Sequence, residues 1–187
     1  MSKTPSKVLA LLVASTALIT LACNFGGLIA QPTPTLVPTP TPTPAPTEYA
    51  VPDEGRFHID LGTAGDYAHF PPSSGPHYGQ IPDWGFYEDE VPPEYYLHNL
   101  EHGGIVILFN CPTACPETEE VFFTLLNTAP PEDVFNEVKI IVSPNTKIDS
   151  PVIALAWGWE LDLAQADLDL LLDFYNRHVN QGPELAP

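Results

Sequence analysis

Three apolar runs in the second half of the chain have the composition of buried β-strands. They span residues 104–109, 138–142 and 152–159 and are rich in valine, isoleucine and leucine. Short apolar runs that contain β-branched residues favour strands over helices. We therefore predict that these three runs form the strands of a small sheet.

Two other segments of this half place their apolar residues at helical spacing. The first begins at Pro116, a residue favoured in the first turn of a helix, and acidic residues follow where the helix dipole stabilises them. The second runs from Leu168 to Val179 and stops before Gly182. The predicted order is β-α-β-β-α, an α+β fold in which two helices pack on a small mixed sheet. Because a helix connects the first two strands, they should be parallel.

The N-terminal half of the globular region shows no sustained helical or strand period. Residues 49–96 are rich in proline, glycine, tyrosine and aspartate. This composition predicts ordered, irregular loops, which we expect to lie over one edge of the sheet. Functional side chains are often carried by loops of this kind, held in place by a rigid scaffold.

The beginning of the chain has the pattern of an export signal. Residues 1–22 carry two lysines followed by an uncharged apolar stretch, which predicts a signal peptide. Ala22 precedes Cys23 as lipoprotein processing requires, so we expect cleavage at this point and lipidation of Cys23. The alternative is an ordinary secretory signal or an uncleaved anchor. Each reading places the remainder outside the cytoplasm, on the outer face of the cell membrane if Cys23 is lipidated.

Two further regions follow the predicted signal. Residues 23–48 contain a run that alternates proline with threonine, which cannot bury a core and predicts an extended stalk. Residues 49–187 have a length that suits one hydrophobic core, and we assign them to a single globular domain.

The charge of the chain limits its partners. All 24 acidic residues but only four of the six basic ones lie beyond residue 22, so the mature chain has a formal charge of −20. Such a chain repels nucleic acids and anionic membrane surfaces. We therefore expect no nucleic-acid partner and attachment to the membrane through lipid alone. Cations are its natural partners.

Cys111 and Cys115 are the remaining cysteines once Cys23 carries lipid. Outside the cytoplasm they can pair, and we favour a structural disulfide that fixes a turn. A redox-active or metal-binding pair is the alternative. Their spacing lacks the two-residue gap of thioredoxin-like motifs.

Clustered histidines are the main candidates for chemistry. His77 follows a proline- and glycine-rich turn, whereas His98 and His102 would face the same way on one helical turn. We predict that these three share a metal site, with His69 as a fourth ligand. Glu101 is expected as a ligand or as a hydrogen-bond partner of a ligand. Alternatively, each histidine is an exposed loop residue or a hydrogen-bonding group of the core.

The other side chains narrow the choice of metal. The mature chain has no methionine and its two remaining cysteines are expected to pair, so soft ligands for Cu(I) are missing. Copper as Cu(II), or zinc as Zn(II), fits imidazole and carboxylate ligands better.

Two other functions remain open. The segment His98-x-x-Glu101-His102 matches the inverted zincin pattern, in which the glutamate is the general base of a hydrolase. That chemistry needs a long helix and a further acidic ligand, whereas glycines and a strand follow here, so we disfavour an enzyme. The second alternative is a protein-interaction module displayed on the stalk, without metal.

Several motifs together resemble the bacterial DUF3105 family, a domain of unknown function. The resemblance covers roughly residues 67–187. It rests on Pro72-x-Ser74-Gly75-Pro76-His77, His98-x-x-Glu101-His102-Gly103, Pro144-Asn145, Ala156-Trp157-Gly158 and Gly182-Pro183-Glu184. It implies an envelope or secreted protein, supports the two histidine motifs as a family hallmark and supplies no substrate. Cys111 and Cys115 lie outside the family pattern, which implies a structural role for them.

Overall fold

The structure of the protein is a computed structural model that describes residues 45–187. The predicted signal peptide, the predicted lipidation site at Cys23 and the predicted stalk up to residue 44 lie outside the described residues. Within residues 45–187, no helix is long and apolar enough to cross a membrane.

Eight strands and three helices make up the described part of the chain. In chain order they are β1 (Thr47–Ala50), β2 (His58–Ile59), β3 (His77–Tyr78), β4 (Gly85–Phe86), α1 (Pro93–Glu101), β5 (Ile105–Phe109), α2 (Pro116–Thr128), β6 (Ile140–Pro144), β7 (Val152–Ala156), β8 (Trp159–Leu163) and α3 (Leu168–His178). Six strands form one mixed sheet in the order β1-β8-β7-β5-β6-β4, and β2 pairs with β3 in a small parallel sheet.

The predicted α+β class is confirmed. Strands β5 and β6 are parallel, with Ile105 opposite Ile140, because α2 carries the chain back to the same end of the sheet. Strand β7 is antiparallel to both of its neighbours, β5 and β8. Cys111 and Cys115 form a disulfide in the connection between β5 and α2.

The apolar side chains of β5 alternate between two cores. Ile105, Ile107 and Phe109 belong to a core that includes side chains of α2 and α3. Val106 and Leu108 belong to a second core that includes side chains of α1. This alternation follows because successive side chains of a strand point to opposite faces of the sheet. The central strand is therefore buried on both faces.

One predicted strand is divided in the structure. The run 152–159 contains β7 and the start of β8, which meet in a tight hairpin at Trp157 and Gly158. Gly158 has a φ of 71°, a conformation that glycine adopts without steric cost. The apolar character continues through this turn, so the sequence pattern does not mark it.

The N-terminal half is more ordered than predicted. Helix α1 is longer than the single turn expected around His98. Six of its nine residues are buried, so its sequence does not show apolar positions at helical spacing. Strands β1 and β4 supply the two edges of the large sheet. Aromatic side chains of the loops pack on the second core, so this half covers a face and does not lie over one edge.

Gly182 occupies a position where a larger residue does not fit. An added Cβ would overlap the Glu101 carbonyl oxygen and the Gly103 nitrogen, which are backbone atoms at the end of α1. Since neither atom can rotate away, Gly182→Ala is expected to lower the free energy of unfolding by about 1–3 kcal/mol. Urea denaturation measures this change.

Gly79→Ala is the matched control. A Cβ at Gly79 would meet the nearest atom of His58 at 3.6 Å, which is ordinary van der Waals contact. Its free energy of unfolding should stay within about 0.5 kcal/mol of the wild type. Equal losses in the two variants would contradict the packing argument.

Candidate metal centre

Three imidazole rings converge on one point. His58, His77 and His98 each offer a ring nitrogen, and these nitrogens lie within 4.8 Å of one another. Their ring centroids form a nearly equal-sided triangle with separations of 5.0, 5.0 and 5.2 Å. Nitrogens that share a tetrahedral metal at about 2.0–2.1 Å lie about 3.3 Å apart. Side-chain movements of about 1 Å would bring the three rings onto one ion.

The small parallel sheet places two of these rings side by side. His58 of β2 and His77 of β3 are directly opposite in the register, and the His77 backbone N–H donates to the Phe57 carbonyl at 3.0 Å. Residues opposite each other on paired strands bring their side chains within about 5 Å. The pairing of β2 with β3 therefore sets the separation of these two imidazoles.

Carbonyl groups fix the orientation of two of the rings. The Nδ1 of His77 donates to the Gly75 carbonyl at 2.9 Å, and the Nδ1 of His98 donates to the Tyr78 carbonyl at 2.9 Å. Since a carbonyl only accepts, each Nδ1 carries the proton in this arrangement. The Nε2 of each ring is then the atom that can bind a metal, as is common for histidine ligands, and in His77 this atom faces the Oε2 of Glu101 at 2.9 Å.

The ring of His98 is held in its neutral form. Burial lowers the pKa of His98 below its ordinary value of 6.5, and the neighbouring imidazoles lower it further. The hydrogen bond to the Tyr78 carbonyl acts in the opposite direction but does not reverse the shift. A neutral imidazole is the form that binds a metal.

Glu101 adds a carboxylate to the three rings. Its Oε2 lies 2.9 Å from the Nε2 of His77 and 3.7 Å from the Nε2 of His58. The 2.9 Å separation is a hydrogen-bond distance, and Glu101 lies outside the group whose ligand atoms converge. The carboxylate is buried, with 4% of its side chain exposed. Glu101 is therefore a buried carboxylate partner of His77 beside the three rings.

The geometry of α1 explains why His98 and Glu101 lie close together. They are three residues apart in α1 and so share one side of the helix. The helix ends at Glu101, and Gly103 then adopts a φ of 77°. His102 lies just after the last helical residue, so its side chain does not share the side of the helix that carries His98 and Glu101.

Two residues of the predicted set lie differently. The ring of His102 stands edge-on against His98, with centroids 4.6 Å apart, and its Nδ1 meets the Pro187 carbonyl at 2.9 Å. His102 thus lies beside the cluster and outside the group whose nitrogens converge. His69 pairs with a different carboxylate, Glu160 of β8, at 2.6 Å.

Sequence reasoning missed His58. This residue lies in a loop-rich segment 19 positions before His77, and no repeated spacing links the two. They meet because β2 and β3 pair, and strands of two residues are too short to show an alternating pattern. The clue that was present is the residue type itself, since His58 is one of six histidines in the chain.

A buried lysine supports the end of α1. The Nζ of Lys139 donates to the carbonyl oxygens of His102 and Ala186 and to the side-chain oxygen of Asn180. Burial lowers the pKa of Lys139 below its ordinary value of 10.5, while nearby carboxylates oppose this. The segment it holds returns to α1, where the Glu184 N–H donates to the Glu101 carbonyl at 3.0 Å.

One family matches this chain. The sequence model of the family described as "Protein of unknown function (DUF3105)" matches residues 58–187, which is more than half of the chain. The chain therefore belongs to this family. The match begins at His58 and includes His77, His98 and Glu101. Neither a curated protein nor a solved structure matches the chain.

Replacing Lys139 tests its supporting role. Lys139→Met keeps the length of the side chain but leaves three acceptors without their donor in a buried place. We expect the free energy of unfolding to fall by about 3 kcal/mol, measured by chemical denaturation. Lys147→Met, at a side chain that is 64% exposed, should change it by less than about 0.5 kcal/mol. A Lys139→Met variant as stable as the wild type would rule out this role.

Proposed function

We propose that this DUF3105 protein is a cell-envelope lipoprotein that binds a divalent transition metal, Cu(II) or Zn(II). His58, His77 and His98 are the imidazole ligands, and Glu101 supplies a carboxylate. The observation that carries the proposal is the convergence of three ring nitrogens within 4.8 Å. Two of the rings are oriented by backbone carbonyls, which is the support that histidine ligands usually have.

The donor set favours these two ions over softer or harder ones. Neutral imidazoles suit Cu(II) and Zn(II), whereas Ca²⁺ and Mg²⁺ prefer oxygen ligands throughout. The two cysteines of the described residues are joined in a disulfide, and residues 2–187 contain no methionine. A sulfur site for Cu(I) therefore has no ligands among residues 45–187.

The exposure of the three rings suits a site that exchanges with solvent. The side chain of His77 is fully buried and His98 is 8% exposed, whereas the His58 side chain is 54% exposed. An ion bound here would approach from the His58 side. The negative charge of the domain favours that approach, because a cation is attracted by the summed field of the carboxylates.

The proposed location rests on the sequence and on one covalent bond. The apolar stretch of residues 1–22 and Cys23 support export and lipidation. The disulfide between Cys111 and Cys115 supports an oxidising compartment, since such bonds are rare in the cytosol. The proposed place of the protein is the outer face of the cell membrane.

Removing one ligand should weaken metal binding strongly. We expect the wild-type chain to bind one Cu(II) or Zn(II) and single alanine variants of His58, His77 or His98 to bind at least about 100-fold more weakly. Isothermal titration calorimetry measures the affinity. The fluorescence of Trp157 gives a second measurement of Cu(II) binding. Its ring centroid lies 6.4 Å from that of His77, so a bound copper ion would quench its emission.

Two further variants complete this test. His69→Ala is the matched control, because His69 pairs with Glu160 and should leave the affinity unchanged. Glu101→Gln keeps the shape of the side chain but removes its charge, so we expect an intermediate loss. Tight binding that survives His58→Ala would contradict the assigned ligand set, and absence of stoichiometric binding by the wild type would contradict the metal centre.

Cys23→Ser tests the lipid anchor. The wild-type protein should remain in the membrane fraction and incorporate a labelled fatty acid during growth. The variant should lose the label, because serine offers no thiol for the lipid. Ala22→Val keeps the thiol of Cys23 and should therefore retain more of the label than Cys23→Ser. Labelling of Cys23→Ser equal to the wild type would overturn the assignment.

A further inference from the structure

Arg56 lies beside the three histidines with most of its donors unused. Its Nη1 is 3.8 Å from the Oε1 of Glu101 and 3.5 Å from the Pro183 carbonyl oxygen. Neither its Nε nor its Nη2 donates a hydrogen bond to an acceptor within residues 45–187. The side chain is 57% exposed. The guanidinium therefore presents free N–H groups to solvent at the edge of the site.

At 3.8 Å the contact between Arg56 and Glu101 is too long for a hydrogen bond. Charge-assisted hydrogen bonds between a guanidinium and a carboxylate are about 2.7–2.9 Å long and often paired. Arg177 shows what an engaged arginine looks like here, since its Nη2 is 2.6 Å from Glu48 and its Nε is 2.9 Å from Asp173. Within residues 45–187, Arg56 makes no comparable pair.

The other basic residues of the described part are committed or lie elsewhere. Lys139 is buried among backbone and side-chain oxygens, and Lys147 pairs with Glu90 at 3.1 Å. Arg177 is held by its two carboxylates. Among residues 45–187, Arg56 is thus the basic residue that faces the histidine cluster.

The backbone directs Arg56 and His58 to the same side. Side chains two residues apart on an extended chain share a face. The intervening Phe57 uses its carbonyl to accept from the His77 N–H and leaves its own ring 73% exposed. Arg56 and His58 then approach Glu101 at 3.8 and 3.7 Å, from the solvent side of the site.

We infer that the metal centre takes a small oxyanion as its exchangeable ligand and that Arg56 anchors it. This inference rests on the proposed metal centre. One oxygen of the anion binds the metal, and a second accepts from the free edge of the Arg56 guanidinium. Carboxylate, carbonate and phosphate share the required feature, two oxygens on one central atom.

The charge balance at the site supports an anionic ligand. A divalent ion with three neutral imidazoles and one carboxylate keeps a charge of +1, and Arg56 adds another. The mature chain carries four basic against 24 acidic residues, so the rest of its surface repels anions. The metal and Arg56 together make this site the exception.

The test titrates inorganic phosphate into the Cu(II)-loaded full-length protein. The visible absorption of the bound copper reports a change of ligand, and elemental analysis confirms that copper is retained. Arg56→Gln should raise the Kd for phosphate about tenfold, because one charge-assisted hydrogen-bonding group is lost. Arg56→Lys should raise it less. Lys147→Gln removes the same charge from an exposed side chain and should leave the Kd unchanged.

Each outcome bears on a separate claim. Equal phosphate affinity in wild type and Arg56→Gln, with copper bound equally, would overturn the anion site and leave the metal centre standing. Weaker copper binding by Arg56→Gln with unchanged phosphate affinity would also overturn it, and would make Arg56 a positioning residue for Glu101. Absence of copper and zinc binding by the wild type would overturn the metal centre itself, and this inference with it.

Discussion

The burial of α1 between the sheet and the N-terminal loops is the constraint on which the candidate centre depends. Leu97 and Leu100 face the second core and fix the helix against the sheet. Because the helix turns by about 100° per residue, His98 and Glu101 then share another side, toward the loops. The hydrogen bond from His98 to the Tyr78 carbonyl joins that side to β3. Apolar packing on one side of α1 thereby positions the polar groups on the other.

A helix buried on both sides has an energetic consequence. Polar side chains in such a place lower stability unless they are paired, and apolar side chains of similar volume would serve the core as well or better. Here His77 and His98 each donate through Nδ1 to a backbone carbonyl, and Asn99 donates to the Pro82 carbonyl at 3.0 Å, whereas its buried Oδ1 has no hydrogen-bond partner among residues 45–187. The packing of α1 alone does not call for this set of groups. A shared chemical task accounts for it better than stability does.

The second half of the fold was predictable because its strands are continuous apolar runs and its helices have apolar residues at helical spacing. The apolar run of β5 and the helical spacing of α3 are both visible in the sequence. His77, His98 and Glu101 were also accessible, since their motifs lie close together and near predicted turns. The third imidazole was not, because His58 reaches the site through a pairing of two residues. Helix α1 was not recognisable from the sequence, because most of its sides are buried and it lacks the exposed polar face that marks an amphipathic helix.

The weak pairing of β2 would give a bound metal a role in the structure as well as in the chemistry. Two register pairs join β2 to β3, and this small sheet is separate from the large one. So short a ladder contributes little stability alone. A bond from His58 to an ion that is also bound by His98 of α1 would add a third attachment of the β2 segment to the core, beside the two register pairs. A ligand that binds the folded state raises its stability, so an occupied centre would order the segment that also carries Arg56. The proposed anion anchor and the proposed metal would then be coupled through the chain, because Arg56 lies two positions from His58.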